Sequence, residues 1–227
     1  MSERGAGTVR RAGYTIDVVL MTPLDRHLAV LLARAPESAL ERWALPWGLP
    51  RLSEPTLGEA AIRVARTALP TNPAWLEQVG AFGERRHPID ADLSVAFLGA
   101  VPVGTLSAPG DSVAWFPVLE LPPLAPRQRT IVAAALELLR ERVDYAPIAF
   151  RMLPPTFTLS DLQRVYEILL GHRLHKASFR RTLAAASLVE PTDEWRSQGR
   201  GRPAQLFRVA TKRRRRPRRG VRFDALP

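Results

Sequence analysis

Phe157-Thr-Leu-Ser-Asp-Leu-Gln-Arg-Val-Tyr-Glu-Ile-Leu-Leu-Gly171 places Leu162, Val165, Tyr166 and Leu169 at the spacing of one buried helix face, and Gly171 stops the run. Lys176-Ala-Ser-Phe-Arg-Arg-Thr-Leu-Ala-Ala-Ala186 repeats the pattern with Phe179, Leu183 and Ala186. Leu188-Val-Glu190 and Gln205-Leu-Phe-Arg-Val209 then read as short strands flanking Gly199-Arg-Gly-Arg-Pro203. Helix, turn, helix, strand, basic loop, strand is the order of a winged helix-turn-helix.

The charges on this unit point to nucleic acid. With Phe179 and Leu183 facing a core, Ala177, Ser178 and Arg181 face away and Arg180 lies on the flank, beside Lys176. Small residues let a helix approach base edges, and arginine can pair with guanine through two hydrogen bonds or clamp a phosphate. A solvated charged face is the plain alternative, which the adjoining basic loop disfavours. There, glycines keep the backbone thin and Pro203 stiffens it, so Arg200 and Arg202 can enter a narrow minor groove. Lys176, Ser178, Arg180, Arg181, Arg200 and Arg202 are the candidate DNA-binding residues. Lys212-Arg-Arg-Arg-Arg-Pro-Arg-Arg219, in a tail expected to be disordered over 211–227, would add salt-sensitive affinity blind to sequence.

Charge is segregated along the 227 residues. From His172 onward there are 16 Lys/Arg and 4 Asp/Glu, whereas residues 1–171 hold 17 and 18. The back of the chain should seek a polyanion and the front should not. The absence of cysteine excludes disulfides and thiolate metal sites and suits a reducing cytoplasm. No apolar run is long enough to span a bilayer, and residues 1–11 are polar, without the apolar centre of a signal peptide.

The front of the chain mixes strands and helices. Tyr14–Met21 and His27–Ala33 form a hairpin around Pro23–Arg26. A Pro/Gly-rich loop follows, then a helix from Thr56, its N-cap, to Leu69, ended by Pro70 and Pro73. Strands return at 76–82, 93–101 and 113–118, and a second helix covers 126–143. The expected organisation is a layered α/β domain over 12–143, a proline-containing linker over 144–156, and the winged helix over 157–210.

Arg42-Trp-Ala-Leu-Pro-Trp-Gly48, Glu54 and the helical Gly58-Glu-Ala-Ala-Ile-Arg63 resemble the entry to a Nudix box. That motif clusters glutamates on its helix to hold the divalent cations that bridge a diphosphate. Here Arg63 fits the arginine position, but Val64-Ala-Arg-Thr-Ala-Leu69 has no carboxylate, and Arg66 would repel a cation. Glu54 and Glu59 alone make a poor magnesium cluster. No metal ligands, no cofactor and no catalytic residues are therefore expected.

Together the two halves resemble the Nudix-related transcriptional regulators, over residues 15–209. The resemblance is carried most specifically by Tyr145–Phe150, Phe157–Glu167, Phe179-Arg180-Arg181, Leu188–Thr192 and Gly199–Ala204. It implies a Nudix-like α/β/α sandwich followed by a C-terminal winged helix-turn-helix, in a non-catalytic homodimer that binds a palindromic operator, commonly as a repressor. In the branch linked to NAD metabolism, ADP-ribose or a related nucleotide releases the DNA. The candidate effector residues are Trp43, Arg63, Arg85 and Arg86. Arg85 and Arg86 are phosphate binders or exposed loop arginines, and Trp43 stacks on a base or belongs to the core. Departures from the family pattern at His175, Ala177, Ser178, Trp47 and Gly83–Pro88 leave operator and effector open.

Two other readings of the same residues stand beside this one. One is a magnesium-dependent Nudix hydrolase of nucleoside diphosphate derivatives with an accessory nucleic-acid domain. The other is a non-specific nucleic-acid binder driven by the tail. Deleting residues 212–219 is expected to flatten the salt dependence of DNA binding while leaving sequence preference intact, as read from affinities for matched and unrelated duplexes across a salt series.

Overall fold

The computed structural model describes residues 13–89, 91–105, 112–145, 148–197 and 203–210. The expectations for residues 1–11, Arg200, Arg202 and the basic tail lie outside the described residues. Strand β1 (Tyr14–Leu24) and β2 (His27–Arg34) form the expected antiparallel hairpin. The Pro/Gly-rich loop contributes two short strands, β3 (Trp43–Ala44) and β4 (Trp47–Gly48), which pair with β2 and β1. Helix α1 (Leu57–Ala65) precedes β5 (Trp75–Phe82), β6 (Leu93–Ala100) and β7 (Val113–Pro117). These strands form one seven-stranded sheet in which β1 runs parallel to β6.

β1 is central, and its residues from Thr15 to Pro23 are buried. A strand covered on both faces reads as a continuous apolar run rather than an alternation. Ile16, Val18 and Leu20 pack with Ala60, Ala61 and Val64 of α1 on one face. Val19 and Met21 face the other side, where helix α2 (Pro126–Tyr145) contributes Ile131, Ala135 and Leu139. The result is the α/β/α sandwich expected from the resemblance. β4 can lie against α1 because residue 48 is glycine: a Cβ there would meet Val64 Cγ2 at 3.0 Å.

α1 starts at its expected cap, with Thr56 Oγ1 accepting from Glu59 N at 3.2 Å. It ends at Ala65, earlier than expected. Thr67 Oγ1 donates to the Val64 carbonyl at 2.7 Å, and Thr67 N bonds the same oxygen at 3.0 Å. The turn is closed before Pro70 is reached.

The stretch expected as a linker is packed instead. Helix α2 runs on to Tyr145, and a short helix α3 (Ile148–Arg151) follows. Ile148, Ala149, Phe150, Met152 and Leu153 are all buried. Phe150 lies edge-on to Tyr166 at 6.3 Å and tilted against Phe157 at 6.0 Å. Helix α4 (Leu159–Leu170) and helix α5 (Lys176–Ala186) complete the helix pair, and Tyr166 meets Phe179 at 5.6 Å. Strands β8 (Val189–Arg196) and β9 (Ala204–Val209) form the wing, extended beyond the expected Leu188–Glu190 and Gln205–Val209. Phe157 and Phe207 exchange both backbone hydrogen bonds, at 2.9 and 2.8 Å, so the entry to α4 joins the wing.

One apolar cluster therefore reaches from β1 through α2 and α3 to Phe179 and Leu183 of α5. Phe157→Ala is expected to cost about 3–5 kcal/mol, the range for a buried phenylalanine. Denaturant melts followed by far-UV circular dichroism and by tryptophan fluorescence should shift together, because both halves share this core.

Candidate functional site

The helix pair is held by two local devices. At the start of α4, Thr158 Oγ1 accepts from Asp161 N at 3.1 Å while Asp161 Oδ2 accepts from Thr158 N at 3.0 Å, a reciprocal capping box. At its end, Gly171 adopts φ +77, the left-handed conformation that glycine accepts without strain. The turn then buries Leu174, whose N–H donates to Glu167 Oε1 at 3.0 Å.

α5 exposes Lys176, Ala177, Arg180, Arg181 and Ala184, and buries Phe179 and Leu183. Small and cationic side chains thus share one open face. Ser178 departs from the expectation. It is 8% exposed and its Oγ lies 3.2 Å from His175 Nδ1, so it faces the helix entry rather than a groove. Its neighbour Phe179 sets the rotation of the helix, and that rotation carries Ser178 inward.

Arg196 of β8 forms an ion pair with Asp161, fastening the wing to the first turn of α4. Burial alone would raise the Asp161 carboxyl, but its hydrogen bonds with Thr158 and the guanidinium of Arg196 overcome that and lower it. Arg200 and Arg202 lie outside the described residues, and Trp195, 56% exposed, is an open aromatic on the described part of the wing, in contrast to the partly buried Phe207.

In the sandwich, Arg63 is already engaged. Its Nη2 donates to the Leu49 carbonyl at 2.8 Å and to Glu54 Oε2 at 3.1 Å, and its Nε also bonds Glu54. Glu54 is held below the usual carboxylate range, chiefly by the Arg63 hydrogen bond. Glu59 is exposed at the start of α1. Among the described residues, no three His, Cys, Asp or Glu side chains group as a metal site requires.

The other effector candidates are placed as follows. Arg86 pairs with Glu41, its Nη1 donating to Oε2 at 3.0 Å, and that bond is the main reason the Glu41 carboxyl is lowered. Arg85 is exposed and sits at φ +67. Trp43 is half-buried, edge-on to Phe116 at 5.0 Å, with the Arg34 guanidinium 4.5 Å from its ring centre. Its packing is thus that of the core alternative on one side and of a cation stack on the other.

Two features escaped the sequence reading. The first is a buried polar network beneath Trp47. Asp17 accepts from Thr15 Oγ1 at 2.7 Å and Gln128 Nε2 at 2.9 Å, and lies 2.9 Å from His87 Nε2. Gln128 Oε1 accepts from Leu45 N at 3.0 Å, and Trp47 stands edge-on to His87 at 5.7 Å. The available signal was Asp17 itself, a carboxylate inside an otherwise apolar strand. The second is Arg127, 4% exposed, whose guanidinium donates to the carbonyls of Gly83, Glu84, Arg85 and Ala91. It pins the loop that carries Arg85 and Arg86.

The NrtR DNA-binding winged helix domain family matches residues 149–209. The ADPR responsive transcriptional repressor NtrR of Acinetobacter baylyi is 30% identical over 205 residues, covering 86% of this chain and 81% of that protein. The chain belongs to the NrtR family. Among solved structures, Shewanella oneidensis NrtR complexed with a 27mer DNA superposes with a TM-score of 0.77 at 27% identity, over 87% of this chain and 93% of that one. A MutT/nudix family protein from Enterococcus faecalis shares the fold, with a TM-score of 0.71 at 19% identity over 89% of this chain and 90% of that one.

The NrtR-type winged helix begins within α3, so the packed segment before α4 is part of the matched unit. In this NrtR protein the Asp161 box should be sensitive to acid. A carboxyl lowered in the folded state stabilises above its unfolded pKa, about 3.9, and that stability is lost as pH falls through the folded value. Asp161→Asn is therefore expected to lose about 1 kcal/mol at neutral pH, and urea melts should show the gap to wild type closing below pH 4.

Proposed function

We propose that this chain is a repressor that binds a palindromic operator as a homodimer and releases it when its Nudix-like domain takes up ADP-ribose or a related nucleotide. The observation that carries this reading is the open face of α5, where Lys176, Arg180 and Arg181 stand beside Ala177 with the helix anchored from behind by Phe179 and Leu183. Such a face fits the major groove, the arginines pairing with guanine or with flanking phosphates. The relatives support it. The Acinetobacter protein is named an ADPR-responsive transcriptional repressor, and the Shewanella protein was crystallised with DNA, its Nudix domain also with ADP-ribose. A dimer follows from the operator geometry, since half-sites about one helical turn apart need two recognition helices. Cytoplasm is the compartment such a role requires, and among the described residues no helix is long and apolar enough to cross a membrane.

The sandwich acts as a sensor rather than a hydrolase. Glu54, the carboxylate nearest in sequence to a Nudix metal ligand, is bound by Arg63, and α1 carries no carboxylate after Glu59. Arg85, exposed on the loop that Arg127 pins, is the candidate for a ligand phosphate. Arg86 and Arg63 would have to exchange Glu41 and Glu54 for the ligand. Because the sensor sheet and α5 share one apolar cluster, a shift of the sheet on ligand binding has a packed route to the helix pair.

The test is binding to an operator duplex selected from random-sequence DNA. Arg181→Ala should lose about 1–3 kcal/mol of discrimination in each half-site, roughly five- to 150-fold apiece, and ADP-ribose should weaken wild-type binding without being consumed in the presence of magnesium. Equal affinity for unrelated duplexes would refute the regulator reading. Turnover abolished by Glu54→Gln would refute the non-catalytic one.

A further inference from the structure

A cleft of about 1020 Å³ opens where the two halves of the molecule meet. One wall is the tip of the β1–β2 hairpin together with α2. The other is α4 and the turn leading to α5. Four arginines line it, Arg26 on the hairpin tip, Arg140 on α2, Arg164 on α4 and Arg173 in the turn. All four are exposed, and among the described residues none has an ion-pair partner. Arg140 reaches across the junction: its Nη2 lies 3.8 Å from where a Cβ on Gly171 would sit.

Three carboxylates also line the cleft. Glu167 is committed, since its Oε1 accepts from Leu174 N at 3.0 Å and from Gln163 Nε2 at 2.9 Å. Asp25 and Glu120 are exposed on the hairpin side. The lining thus carries four guanidinium groups against three carboxylates, and Glu167 is turned to neutral donors on the α4 side. Arginines without partners at a junction retain full hydration until an anion arrives, and a phosphate matches their forked donors.

We infer that this cleft seats a stretch of DNA phosphodiester backbone, with Arg26 and Arg140 of the sandwich contacting phosphates next to those held by Arg164 and Arg173. The inference rests on the DNA-binding reading above. Continuity favours it. Arg173 lies three residues before Lys176, which opens α5. In helix-turn-helix docking the recognition helix enters the groove by its N-terminal end while the first helix crosses the backbone. The cleft therefore lies on the path the backbone takes as it leaves α5. The sensor half is then part of the DNA interface itself, and a shift of the hairpin relative to the turn would separate paired phosphate contacts without altering α5.

The experiment uses the full-length chain, the selected operator duplex and an unrelated duplex of equal length, with dissociation constants measured across a potassium chloride series. Arg26→Gln and Arg140→Gln should each lower the salt slope of the dimer by about 1.8, from one phosphate contact of about 0.9 lost in each protomer, and weaken both duplexes by the same factor. Arg140→Lys should restore the slope, and Glu120→Gln should tighten both duplexes. Thermal melts of the variants should match wild type, because the replaced side chains are exposed. A wild-type slope in Arg26→Gln and Arg140→Gln overturns the inference. So does pyrophosphate binding that Arg140→Gln abolishes while the DNA slope stays unchanged, which would make the cleft a small-ligand site. If wild type shows no preference for the selected duplex, it is the regulator reading that fails.

Discussion

One apolar cluster holds the two halves of this molecule in one piece, running from Val19 and Met21 of β1 through Ile131, Ala135 and Leu139 of α2 to a group of rings in the winged helix. Phe150 touches Phe157 and Tyr166, and Tyr166 touches Phe179. The first of these rings comes from the segment after α2, the last from the first turn of α5. Burial of this size outweighs the entropy of ordering a short proline-containing connection. A tethered winged helix could bind DNA equally well, but it could not be informed by the sheet. Here the rotation of α5, and hence which side chains it exposes, is set by Phe179, whose partners belong to the same cluster as Val19 and Met21 of β1.

The sandwich has turned its remaining chemistry inward. Glu54 and Glu41, carboxylates that would otherwise be free for cations, are each taken up by an arginine. Asp17 is buried completely, and hydrogen bonds from Thr15, Gln128 and His87 satisfy it. A buried, fully bonded network rigidifies the sheet beneath the β3–β4 loop and fixes the seat of Trp47 and His87.

The helices and strands that carry strong periodicity were legible in the sequence. α4 and α5 follow from Leu162, Val165, Tyr166, Leu169, Phe179 and Leu183, because these residues mark helical faces without tertiary information. α3 was hidden, since four residues between prolines hold too little periodicity to read, and only packing against Tyr166 reveals them as core. Ser178 was misplaced for a related reason. Helical spacing gives the face of a residue to within one position, and the true rotation depended on how deeply Phe179 is inserted. Glu54 as the partner of Arg63 joins a loop to α1, and Glu41 as the partner of Arg86 joins two loops; no local pattern encodes either. Arg127 looked like any helix-entry arginine, because its role comes from a loop about forty residues away in sequence.

That role has a consequence for how such a sensor can change. Arg127 grips the loop over 83–91 entirely through main-chain oxygens, those of Gly83, Glu84, Arg85 and Ala91. Every amino acid offers the same oxygen, so the clamp is indifferent to which side chains the loop displays. The path of the loop is thereby uncoupled from its chemistry. Substitutions at 84–86 change the chemistry that the loop displays while the scaffold beneath, and its packed route to α5, stays as it is.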